Sequence, residues 1–196
     1  MAATSDSYRQ DQIILGAGRL YGQVGVPAND ARLALTTLTP DSASGAVHLG
    51  ATKAGTVLTV STTYQEYFLD EFPDPQIVNL EQTGMMLEGE LAGGGDMQLL
   101  EYLSPGAGTY ATGSGYKQLT IGRRAIAYQG VCVIAPRADD STKVIVAHIY
   151  KAINHAGLKA NFGRKEQSFT PFQFKGYAIT TRDADDTLGN IWTSTA

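Results

Sequence analysis

The sequence predicts a mainly β protein: a two-sheet β-sandwich or barrel flanked by one short α-helix, with extended arms and a long loop. Three observations carry this. Short runs rich in β-branched residues recur, as in Thr56-Val57-Leu58-Thr59-Val60 and Val131-Cys132-Val133-Ile134-Ala135; such side chains suit a pleated, half-buried surface. The runs are bounded by glycines, 22 in 196 residues, which favour turns. One stretch alone has a clear helical period.

Residues 1–11 are small and polar and are expected to form an arm. The domain is expected to span residues 12–182, opening with Gln12-Ile13-Ile14-Leu15, a Gly16-Ala17-Gly18 turn and a strand from Arg19 to Val24. Asn29 could cap a helix through Leu33 and Leu38, but Thr36, Thr37 and Pro40 favour an extended segment. Ala46–Gly50 and Thr56–Val60, with Lys53-Ala54-Gly55 between them, read as a hairpin. Ser61–Gln76 reads as a long loop that interleaves Glu66, Asp70, Glu71 and Asp74 with Tyr64, Tyr67, Phe68 and Phe72. Pro73 and Pro75 bar a helix there. Ile77–Leu80 and Gly84–Leu91 read as strands.

The helix is expected from Asp96 to Leu103. Asp96 can accept hydrogen bonds from the first turn, Met97, Leu100 and Leu103 fall on one face, and Pro105-Gly106 ends it. A Gly- and Ser-rich loop follows to about Gly115. Further strands are expected at Leu119–Tyr128, Val131–Ala135, Val144–Ile153, Leu158–Phe162 and Ser168–Thr180. In the last, Phe172, Phe174, Gly176 and Ala178 share one face, and Gln173, Lys175 and Tyr177 the other. Residues 183–196 read as a polar tail.

Composition narrows the function classes. Hydrophobic residues make up 43% of the chain, enough for a sizeable core and too many for whole-chain disorder. One cysteine excludes a disulfide scaffold. The net charge of −4 argues against a basic nucleic-acid binder. No run approaches the roughly 18 apolar residues of a membrane helix. The start has neither the charged nor the apolar region of a signal peptide, so the expectation is a chain made in a cytoplasm. Charged residues are only 17%, against about 25% in an average domain, which hints at surface covered by partners.

Residues able to carry chemistry are few. Gly16-Ala17-Gly18 fails as a dinucleotide motif because its third glycine position is Tyr21. His48, His148 and His155 are scattered, with no zinc spacing. His148, in an apolar strand, reads as a satisfied core or interface histidine, and Cys132 as a buried structural thiol. Asp183–Gly189 fails as a calcium loop because Leu188 stands where glycine is needed. Neither catalysis, a metal nor a cofactor is expected. Arg123 and Arg124 would point to opposite faces of a strand, and Lys159, Arg164 and Lys165 would gather near a turn. Contact with DNA is therefore expected to be weak and sequence-independent. In the 61–76 loop, exposed rings would be a liability on a monomer. They either anchor a neighbouring subunit or fold back onto this domain's own core.

The order of short motifs resembles the tail tube proteins (major tail proteins) of long-tailed bacteriophages. These motifs are Gly16-Ala17-Gly18-Arg19-Leu20-Tyr21, then His48-Leu49-Gly50-Ala51-Thr52, an acidic loop with prolines, Gly84-Met85-Met86-Leu87-Glu88-Gly89-Glu90-Leu91, a short helix and strands rich in Ile, Val and Phe. The resemblance covers roughly residues 12–180. It implies a β-sandwich with a flanking helix, and hexameric rings whose sheets join into an inner barrel. Stacked rings form the tube that conducts the DNA genome, with a long loop and terminal arms bridging copies. Carried onto this chain, the bridging loop is residues 61–76. Implied partners are further copies, tape measure, terminator and baseplate proteins, and DNA in passage, but no membrane. The implied location is the virion tail, assembled in the bacterial cytoplasm. Two alternatives remain: a related tube-initiator or tail-terminator ring, and a β-sandwich carbohydrate-binding or adhesin module. An isomerase or hydrolase on a β-barrel ranks third, for want of a polar constellation.

Overall fold

The computed structural model describes residues 18–29, 31–34, 46–67, 77–92, 97–103, 108–122, 125–137, 140, 142–157 and 169–194. The protein is mainly β, with one large antiparallel sheet, a small second sheet and one short helix. The elements are β1 (Arg19–Gly22), β2 (Val47–Tyr67), β3 (Ile77–Ala92), α1 (Met97–Leu103), β4 (Gly108–Gly113), β5 (Tyr116–Ile121), β6 (Gln129–Pro136), β7 (Val144–Asn154), β8 (Phe169–Gly176) and β9 (Gly189–Thr193).

The large sheet runs β6-β1-β2-β3-β8-β7-β9, and β6 also pairs with β7. That pairing closes the sheet into a barrel and removes most of its edges. Alternate residues point inward: Leu20, Leu49, Leu87, Leu91, Val131, Ile149, Phe172 and Phe174 form the interior core. Phe172 and Phe174 lie 5.8 Å apart between ring centroids, as their shared face requires. Leu100 and Leu103 of α1 join this core. The Gln129 side chain donates to the Tyr102 carbonyl and ties the helix end to β6. The helix thus closes one end of the barrel, beside the start of β6 and the end of β3. The small β4–β5 hairpin packs beside it.

The outer face of β1, β6, β7 and β9 holds a second core of Tyr21, Val24, Leu33, Ala46, Cys132 and Val146. It is covered by residues 24–34, which carry no helix or strand among those described. Val24 N–H donates to the Gly130 carbonyl, and the Asn190 amide donates to Ala31 O. Arg182 donates to Pro27 O, Ala28 O and the Asp186 carboxylate, and stacks on Tyr150. The strap is therefore fastened through an arginine whose planar fork reaches several acceptors at once.

Several expectations need correction. Of the Gly- and Ser-rich loop expected to about Gly115, Gly108–Gly113 is strand β4, paired with β5. The strand expected at Ser168–Thr180 ends at Gly176 as β8, so Tyr177 and Ala178 lie beyond it. Residues 46–60 form no hairpin: β2 is continuous, with a bulge between Thr52 and Thr56 where Gly55 takes a φ of +91°. A positive-φ glycine serves a bulge as well as a turn. Ile77–Leu80 and Gly84–Leu91 are one strand, β3. The strand expected at Leu119–Tyr128 ends at Ile121 as β5. The tail expected at 183–196 carries β9, paired with β7 from Ile145↔Thr193 to Ile149↔Gly189. Asp186, read as part of that solvated tail, is buried. The expected strands at 12–15 and 158–162 and the Asp96 cap lie outside the described residues.

Candidate inter-subunit surface

Beyond the barrel, β2 and β3 continue as a two-stranded ribbon. The register runs from Val60↔Met85 to Thr63↔Gln82, shifts, and resumes from Tyr64↔Leu80 to Tyr67↔Ile77. The pairing of β1 with β2 starts at Ala51, and that of β8 with β3 stops at Met86. Among the described residues, no strand pairs with the outer edge of either half of this ribbon. A lone two-stranded hairpin is at best marginally stable in water, and free edges invite another strand.

The ribbon overturns part of the long-loop expectation. Ser61–Tyr67 is strand, so any connecting loop begins after Tyr67. The reason is local: Thr59 to Thr63 are β-favouring, yet neither face of a projecting ribbon needs an apolar alternation to announce it. Of the candidate contact residues, Tyr64 lies on β2 with 57% of its surface exposed. Glu66 and Tyr67 lie on β2 opposite Val78 and Ile77. Phe68, Asp70, Glu71, Phe72 and Asp74 lie outside the described residues.

Further exposed apolar residues were not singled out from the sequence. Val57, Val60 and Ile191 are each more than half exposed. Val57 and Ile191 border an apolar cavity of about 380 Å³ at the barrel end opposite α1. An Ile-Trp pair in an otherwise polar C-terminal stretch was the one sequence signal of it. Tyr116 and Ile121 of β5 are also exposed.

The structure places the cysteine and two of the histidines singled out from the sequence. Burial pushes the Cys132 thiol up to about 12, so it stays protonated and unreactive. His148 is fully buried, as expected of a core histidine, but neither ring nitrogen has a hydrogen-bond partner among the described residues. Its ring meets Tyr150 edge-on at 5.0 Å. Burial, and then the Arg182 charge, lower its pKa to about 4. His155 lies at the surface, within 2.8 Å of the Tyr177 hydroxyl. Among the described residues no group of His, Cys, Asp or Glu could hold a metal ion. No described helix is long and apolar enough to cross a membrane.

No protein-family model matches this sequence. A search of curated proteins finds no match either.

Proposed function

We propose that this chain is a structural subunit of a bacteriophage tail tube, assembling into hexameric rings that stack around a channel for DNA. The observation that carries the reading is the β2–β3 ribbon, which leaves a closed barrel with neither outer edge paired among the described residues. The order of motifs over residues 12–180 supports the same reading. Joining ribbon edges between copies satisfies backbone groups that a monomer would leave to water, and symmetry makes one such joint repeat around a ring. The low charged fraction agrees with a surface largely covered by neighbours. Passage of DNA asks for a lumen that does not release counterions, and the sequence contains no basic run. Tape measure, terminator and baseplate proteins are the further partners of this reading, and the virion tail is its location.

Phe68 and Phe72, in the segment between β2 and β3, are the anchors in this proposal. Replacing Phe72 with alanine should remove about 1–3 kcal/mol per contact. That raises the concentration needed for assembly roughly tenfold or more, while the circular dichroism of the monomer stays unchanged. Light scattering against concentration reads the first effect. Unfolding of the monomer would instead place Phe72 in its own core.

A further inference from the structure

The outer face that residues 24–34 cover is not wholly apolar. His148 follows Val146 by two residues on β7, so its ring lies on the same face as the second core. Cys132 stands opposite it on β6, and Asn190 on β9. His148 Nδ1 and Nε2, Asn190 Oδ1 and Trp192 Nε1 are buried with no hydrogen-bond partner among the described residues. His148 Nε2 and the Val24 carbonyl oxygen crowd one spot above Gly130, 3.4 and 2.1 Å from where a Cβ there would stand. The strap therefore covers polar atoms that water would satisfy if it lifted.

The strap is held by few bonds. Val24 N–H donates to Gly130 O, the Asn190 amide to Ala31 O and the Asn29 amide to the Asp183 carboxylate. Arg182 donates to the carbonyls of Pro27 and Ala28, and its charge also acts on the His148 ring. A proton on that ring puts a second cation into a layer without water, with no acceptor for either N–H. The strand that carries the ring cannot yield, because β7 is paired on both sides, with β6 and with β9. We propose that protonation of His148 releases residues 24–34 from the outer face while the barrel stays closed. Among the described residues, the other charged or titratable groups on the elements around the ring belong to five places. They are Tyr150 on β7, Cys132 on β6, Tyr21 on β1 with His48 of β2 against it, Asp183 and Asp186 beside Arg182, and Arg32 of the strap over Trp192. Tyr150 and Cys132, each pushed up to about 12, stay neutral and offset no charge on the ring. Asp186 is already held by Arg182 and Tyr150. The proposal concerns the single chain and does not rest on the tube reading.

Cys132, the one cysteine of the chain, belongs to the core under the strap and reports its release. The full chain at low concentration is reacted at pH 7 and pH 5 with dithiodipyridine, and each rate is divided by that of a thiol peptide at the same pH. The ring's pKa is about 4 under the strap and returns to 6.5 once wetted, so the open population rises roughly 20-fold between these conditions. The wild type should show that rise with unchanged circular dichroism. His148→Leu, which keeps His48 and every other group, should change less than about twofold. Equal pH dependence in the two proteins would overturn the proposal. Hydrogen exchange on the wild type gives a reading that needs no variant. Corrected for the intrinsic rate at each pH, the Val24 amide should lose protection by the same factor while the β6–β7 ladder keeps its own. A ladder that loses protection in step with Val24 would also overturn it, because the whole fold and not the strap would then be opening.

Discussion

Acidification from pH 7 to pH 4 should cost this fold roughly 3 kcal/mol through His148 alone. The ring is fully buried with no hydrogen-bond partner among the described residues, and its pKa falls from 6.5 to about 4. Every tenfold loss of proton affinity on folding corresponds to about 1.4 kcal/mol. Because the folded value lies below the unfolded one, the unfolded chain binds the extra proton between these two values. Stability is therefore full above about pH 6.5, falls as pH drops through that window, and levels off below about pH 4. Among the described residues, the charged and titratable groups near the ring are Arg182, which opposes protonation, the Tyr150–Asp186 pair joined by a 2.6 Å hydrogen bond, and Cys132, its partner on β6, which stays protonated. His148→Leu removes the titration and two unpaired polar atoms together. Urea unfolding should find it within about 1 kcal/mol of the wild type at pH 7 and more stable at pH 4. Parallel pH curves for the two proteins would contradict this.

Gly130→Ala should be nearly as damaging at neutral pH. A Cβ built on Gly130 lies 2.1 Å from the Val24 carbonyl oxygen and 3.1 Å from its carbon. These are backbone atoms, so no side chain can swing aside. Val24 N–H also donates to Gly130 O at 3.0 Å, which binds the strap to β6 at the same point. The methyl group must push residues 24–34 off the outer core or bend β6. A cost of about 3 kcal/mol is expected, a lowered urea midpoint with the same slope. Gly25→Ala, where a Cβ meets nothing within 4 Å, is the matched control and should change stability little.

The parts of the fold open to sequence reading were those with apolar periodicity. Val131–Ala135 and Val144–Ile153 are buried strands of β6 and β7, and Leu100 and Leu103 mark the buried face of α1. Phe172 and Phe174 alternate on β8 as expected. What escaped lacked that signal. Residues 61–64 of the ribbon are exposed on both faces, so no apolar alternation patterns them, and β9 is short and has no fully buried residue. The glycine at 55 looks the same in sequence whether it makes a turn or a bulge. The strained chemistry of His148 was invisible too, since an apolar neighbourhood does not say whether a ring nitrogen finds a partner. For the candidate contact residues, sequence gave part of the segment the wrong backbone: Tyr64, Glu66 and Tyr67 stand on a paired strand.

Assembly is the central claim, and electron microscopy of the purified full-length protein at high concentration tests it most directly. The expected images are rings with six-fold symmetry and a central channel, stacking into tubes as concentration rises. A particle that stays monomeric at every concentration and salt, or one that closes with a different symmetry, would contradict the account.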